Sequence, residues 1–161
     1  MSRLSKFTEY KVNRAKQANY ILQDQGLLNE LKQYGTPHII GSYKMDLMAW
    51  NDLDIDVEND LMSLNKLHNL TKFILDSFNP TWYEAKEEVD KQGSKGWFQG
   101  FEFYLNKELW NVDIWFLNKH EIEKAEKWLD YFAASGRPTF QIVKLKVKGN
   151  VFYGDAAKCF D

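Results

Sequence analysis

Asp52, Asp54 and Asp56 alternate with Leu53, Ile55 and Val57 in the run Asp52-Leu53-Asp54-Ile55-Asp56-Val57-Glu58. This pattern belongs to a half-buried strand, in which residues i and i+2 share a face. Two carboxylates on one side of a strand can hold a hard divalent cation, which takes oxygen ligands. Asp113 lies in a second alternating run, Asn111-Val112-Asp113-Ile114-Trp115, on the face opposite Val112 and Ile114. Were the two strands neighbours, three carboxylates would converge. Two cations held there could bridge the attacking and leaving oxygens of an in-line displacement at phosphorus. The apolar neighbours Trp110, Ile114, Trp115 and Phe116 make an unpaired Asp113 costly and favour a cation partner.

A phosphate ligand also needs donors. Ile40-Gly41-Ser42 ends a short apolar strand, with nine residues separating Ser42 from Asp52. Small residues at such a turn let backbone N–H groups approach an anion closely. A helical turn after it would add its N-terminal dipole, and Lys44 could meet the same phosphates. Asp52, Asp54 and Asp113 are therefore the candidate metal and catalytic residues, and Gly41, Ser42 and Lys44 the candidate phosphate binders. The metal pair could be Asp52 with Asp54 or Asp54 with Asp56. Proximity to the Gly-Ser turn favours the first, leaving Asp56 to orient a basic group or face water. Asp46 is expected to brace local structure.

The competing bland reading makes the acidic row the solvated face of an edge strand, where charge prevents aggregation. A calcium loop starting at Asp52 fails, because Val57 stands where glycine is needed and Ser63 where glutamate is needed. His38, His68 and His120 lack metal-ligand spacing and read as structural or surface residues. Trp97, Phe98, Phe101, Phe103 and Tyr104 read as sheet core before they read as a base-stacking platform, although one of them, or Tyr43, could stack on a nucleobase.

The elements that must position these groups follow from periodicity. Residues 8–34 read as helical, broken at Gly26, and Pro37 opens the strand His38-Ile39-Ile40. A short helical turn through Leu47 and Met48 precedes the acidic strand. Asn59 or Asp60 is positioned to cap a helix whose stripe is Leu64, Leu67, Leu70, Phe73, Ile74 and Phe78. Residues 82–89 predict a strand, 90–96 a polar loop, 97–105 and 109–116 a hairpin, and 121–134 a helix. Residues 139–148 fit helix or strand. The order predicts an α/β (α+β) fold with a sheet covered by helices.

Composition bounds the rest. The chain has 161 residues, 44% hydrophobic and 16% aromatic, enough for a sizeable core in one domain. A net charge of -2 disfavours nucleic-acid binding through many phosphate contacts. Cys159 is the lone cysteine, which excludes an internal disulfide or a cysteine-rich metal site. No apolar run approaches a membrane span, so the expected location is the cytoplasm.

The order apolar-Gly-Ser, spacer, Asp-apolar-Asp and later strand Asp resembles the DNA polymerase beta-like nucleotidyltransferase superfamily. Gly41-Ser42-Tyr43-Lys44-Met45-Asp46 is similar to the Gly-Gly-aromatic-x-x-Asp opening of the aminoglycoside and lincosamide nucleotidyltransferases, with Ser42 in place of the second glycine. The resemblance spans residues 36–117 of a single domain covering 1–161. It implies a mixed nucleotidyltransferase-type sheet flanked by helices, Mg²⁺ or Mn²⁺ as cofactor, a nucleoside triphosphate donor such as ATP, and a hydroxyl acceptor, expected to be a small molecule. It further implies that Asp52 and Asp54 hold the metals on the triphosphate and that Asp113 completes the second site. Small relatives often complete their site across a dimer, which implies a homodimer. The spacer before Asp52 is shorter than in the antibiotic-modifying group, which puts an antibiotic acceptor in question. Two alternatives stand beside this reading: a non-catalytic nucleotide-binding module on the same fold, and a toxin–antitoxin-type enzyme modifying protein or tRNA.

Overall fold

The computed structural model describes residues 3–46, 48, 50–89, 95–134, 144–147 and 150–153, with side chains described between residues 9 and 127. The chain divides into two compact units, Met1–Ala125 and Glu126–Asp161. The first contains α1 (Arg3–Asn19), a π-helical turn (Tyr20–Asp24), α2 (Leu27–Leu31), β1 (Thr36–Ile39), α3 (Gly41–Lys44), β2 (Asp52–Glu58), α4 (Leu64–Phe78), β3 (Trp82–Val89), β4 (Lys95–Leu105) and β5 (Glu108–Leu117). α5 (Lys119–Ala134) spans the boundary between the units, and the second unit also holds the antiparallel pair β6 (Lys144–Val147) and β7 (Asn150–Tyr153).

Five strands form one mixed sheet in the order β1-β2-β5-β4-β3. β2 and β5 run parallel; the other neighbours are antiparallel. Side-chain alternation then divides the sheet. Leu53, Ile55 and Val57 on β2, and Val112, Ile114 and Phe116 on β5, are at most 1% exposed. They join Ile21, Leu27 and Leu31 from the N-terminal helices and Leu67, Leu70 and Ile74 from α4 in one core. Each such fully buried side chain stabilises the fold by about 1.5–3 kcal/mol. The opposite face carries the aspartates. This is the expected α+β architecture.

Local chemistry sets the element ends. Gly26, at φ +80, separates the π-helical turn from α2, as the sequence predicts. α4 is capped by Ser63, whose side chain accepts from the Lys66 N–H at 3.4 Å. The expectation of a cap at Asn59 or Asp60 is corrected: Asn59 Oδ1 accepts from the Leu61 N–H at 2.6 Å, and its amide donates to the Tyr34 carbonyl. That side chain braces a turn and is spent before the helix begins. α4 ends at Asn79, in the left-handed region and just before Pro80. The expected strand over 82–89 has those bounds, and Lys95 and Gly96 belong to β4 instead of the preceding loop. Residues 90–94, Leu47 and residues 135–143 lie outside the described residues. No helix among the described residues is long and apolar enough to cross a membrane.

Leu105 pairs with Glu108, so the β4–β5 hairpin closes on two residues, Asn106 at φ 53 and Lys107 at φ 69. Both left-handed angles match the tight turn that suits twisted strands, where Asn-Gly is preferred. Lys107 carries a Cβ in that region at a cost of about 1–2 kcal/mol. Lys107→Gly is therefore expected to raise unfolding stability by roughly 1 kcal/mol in urea titrations with unchanged slope. A lower midpoint would show that the turn gains more from the lysine than it loses to strain.

Candidate metal centre on the open face of the sheet

In the parallel β2–β5 pair, Asp54 lies beside Asp113 and Asp52 beside Asn111. Registered neighbours share a face, so Asp52, Asp54 and Asp113 stand together, each half-buried. One oxygen from each lies within 4.8 Å of the other two. At a Mg–O distance of about 2.1 Å, oxygens of one octahedral shell are about 3.0 Å apart when adjacent and about 4.2 Å when opposite, so the three could share one cation after side-chain rotation. Like charges this close are an electrostatic cost that a divalent ion removes. β2 is an inner strand between β1 and β5, so its acidic row does not guard a sheet edge. Of the two candidate pairs, Asp52 with Asp54 is the one grouped with Asp113.

Asn111 donates from Nδ2 to Asp52 Oδ1 at 2.7 Å. An outer-shell donor of this kind orients a ligating carboxylate. Asn111 is absent from the residues nominated by sequence, although its place two residues before Asp113 on the same alternating face is a usable signal.

β1 carries the glycine turn into the same site. The Ile40 N–H donates to the Asp54 carbonyl at 3.0 Å, which extends the β1–β2 ladder by one rung. Gly41 follows at φ +64, against the Asp54 side chain; a Cβ there would overlap the carboxylate. Gly41 is thus required twice, by its backbone angle and by its neighbour. It opens α3, whose first N–H groups have no acceptor within the helix. Ser42, half-buried, follows directly, and Lys44 is exposed in the last residue of α3. Since α3 has four residues, its dipole is small, and any anion there would be held by individual N–H groups. Beyond α3, Asp46 is at φ 55 and pairs with Lys11 of α1, the bracing role expected of it.

Of the two expectations for Asp56, facing water is overturned: it is 5% exposed, registered with the basic His38 on β1 and with Trp115 on β5. Burial pushes its carboxyl up from 3.8 to about 6, and the nearby His38 draws it part of the way back. The other histidines with a sequence expectation, His68 and His120, are exposed. Among the aromatics expected in the sheet core, Phe101 and Phe103 lie in the helix-side core with Trp97 packed against it, Phe98 is buried on the carboxylate face beside Trp115, and Tyr104 is corrected: it is 62% exposed.

Two outcomes are expected. Gly41→Ala should lose about 1–2 kcal/mol to backbone strain alone and displace Asp54. Urea unfolding and Mn²⁺ titration should both register it; unaltered Mn²⁺ affinity would detach the turn from the carboxylates. The Asp56 carboxyl titrates higher folded than unfolded, so its contribution to stability is complete below about pH 4 and declines as pH rises through 6. His38 on the neighbouring β1 is the charged group that acts on it. In metal-free protein, Asp56→Asn should remove up to roughly 2–3 kcal/mol of that decline and be the more stable form at about pH 7.5. An identical pH slope in both proteins, measured by urea unfolding between about pH 4.5 and 7.5, would exclude Asp56 as its origin.

No protein-family model matches this chain, and no curated protein matches its sequence.

Proposed function

We propose that the chain is a cytoplasmic, metal-dependent nucleotidyltransferase that moves a nucleotide from a nucleoside triphosphate to a hydroxyl acceptor, a small molecule. The observation that carries this reading is the convergence of Asp52, Asp54 and Asp113 beside a glycine turn packed against Asp54. The sequence resemblance supports the same chemistry. Asp52 and Asp54, the former steadied by Asn111, hold the metal that carries the triphosphate. When bound, Mg²⁺ supplies charge neutralisation and a fixed orientation for the phosphate oxygens. The backbone N–H groups at Gly41 and Ser42 receive the terminal phosphates, and Lys44 offsets charge on the departing pyrophosphate. Asp113 takes the acceptor's hydroxyl proton. The acceptor oxygen then forms a bond to the α-phosphorus as the bond to pyrophosphate breaks, with the two oxygens in line.

The test is calorimetric titration of a non-hydrolysable ATP or GTP analogue with and without Mg²⁺, on wild type and on Asp52→Asn/Asp54→Asn. Mg²⁺-dependent binding is expected in the wild type, weakened at least about tenfold in the double variant, the equivalent of about 1.4 kcal/mol. Equal binding by both proteins, or binding indifferent to Mg²⁺, would remove the aspartates from the triphosphate site.

A further inference from the structure

β3 ends the five-stranded sheet, and among the described residues no strand pairs with its outer side. Such an edge offers a row of backbone donors and acceptors to another chain, and short length, a bulge, a proline or a covering element is the common protection. β3 has none of the first three. It runs for eight residues, Trp82–Val89, without proline and in unbroken register with β4. Nor are its faces covered: Trp82 is 42% exposed on the carboxylate face, and Tyr83 and Val89 are 49% and 58% exposed on the other. What β3 does carry is charge. Lys86 lies between Glu84 at 3.3 Å and Glu88 at 2.8 Å, and Glu87 meets Lys95 of β4 at 3.3 Å.

Those charges select a partner. A symmetric dimer continues the sheet through a two-fold axis perpendicular to it, which sets two β3 strands antiparallel. Paired residues share a face, so the axis passes at a residue. Like charges directly opposite one another destabilise the pairing, and opposite charges favour it. Centred on Glu84 or on Glu87, the strands would set that glutamate against its own copy. Centred on Lys86, they would set Lys86 against itself and Glu84 against Glu88. Centred on Ala85, no like charges face each other: Ala85 meets Ala85, and each Glu84 meets Lys86 of the other copy. Tyr83 then meets Glu87, with Ala85 and Val89 as its diagonal neighbours, and Trp82 meets Glu88, with Lys86 on the diagonal. We propose that β3 is a dimerisation edge, pairing about Ala85 with the β3 of a second copy of this chain to form one continuous sheet. The two carboxylate clusters then lie on the same face, about five strand spacings or roughly 24 Å apart. Each cluster is whole within its own chain, unlike a site completed across the interface. The inference is independent of the nucleotidyl-transfer reading.

The experiment is sedimentation equilibrium of the full chain from about 1 to 100 µM, the range suited to a small interface. Wild type is expected to dimerise within it. Lys86→Glu sets two glutamates opposite each other and should weaken the dimer at least about tenfold, as should Glu84→Lys. The double variant Glu84→Lys/Lys86→Glu exchanges the two charges and should recover most of that loss. Circular dichroism and urea unfolding at the lowest concentration check that each variant folds. Position is read separately in Cys159→Ser protein. There Ala85→Cys should cross-link to its own copy on mild oxidation. Glu87→Cys should not, because it lies about 13 Å from its counterpart, beyond disulfide reach. A wild type that stays monomeric to about 100 µM would overturn the proposal. A dimer indifferent to both charge reversals, or not recovered by the exchange, would put the interface elsewhere and overturn it equally. Cross-linking through Glu87→Cys in place of Ala85→Cys would overturn the register on which it rests.

Discussion

The parallel registration of β2 with β5 is the constraint on which the rest depends. Leu53, Ile55 and Val57 pair with Val112, Ile114 and Phe116, and all six are buried beneath the helices. Because the side-chain period is two, a slip of one residue on either strand would turn its aspartates into the core and its apolar residues outwards. Burying even one unpaired carboxylate costs several kcal/mol. The core therefore does more than stabilise the sheet. It holds Asp54 beside Asp113, and the open face inherits its geometry from packing on the closed one.

Backbone interactions refine that geometry. The Ile40–Asp54 rung and the left-handed Gly41 bring a turn onto the carboxylate where any larger residue would collide with it. Asn111 steadies Asp52 from the neighbouring strand. On the far flank, the absence of a side chain at Gly100 brings Phe98 up to Asp113. Two glycines thus border the carboxylates for different reasons, one to admit backbone and the other to admit a ring. The resulting face runs from backbone at β1, through carboxylates at β2 and β5, to the buried Phe98 ring at β4.

Asp56 shows how finely position divides residues of one type. It shares its strand face with Asp52 and Asp54, yet it is buried next to His38 and its carboxyl titrates near 6. One step along the strand face separates the half-buried Asp54 carboxylate from the buried carboxyl of Asp56. Desolvation dominates there, and the His38 charge offsets only part of it.

The alternation of residues 52–58 and 111–115 is sufficient by itself to separate apolar from acidic faces and to nominate Asp52, Asp54, Asp56 and Asp113, because strand periodicity is a local property of the chain; the preference for Asp52 over Asp56 needed the Gly-Ser turn as well. The glycine at 41 is legible as a turn for the same reason. The hairpin at Asn106–Lys107 and the apolar stripe of α4 are equally local. Helix capping is less so: Asn59, Asp60 and Ser63 all suit a cap by residue type, and the choice of Ser63 depends on Asn59 being engaged with Tyr34 from another element. That β2 is an inner strand, that Asp113 stands beside Asp54, that Asn111 reaches Asp52, and that Asp56 is sealed off are all consequences of strand order and register. Those are decided by burial across segments far apart in the chain, where the free energy of packing the shared core selects one pairing among several that the local pattern permits.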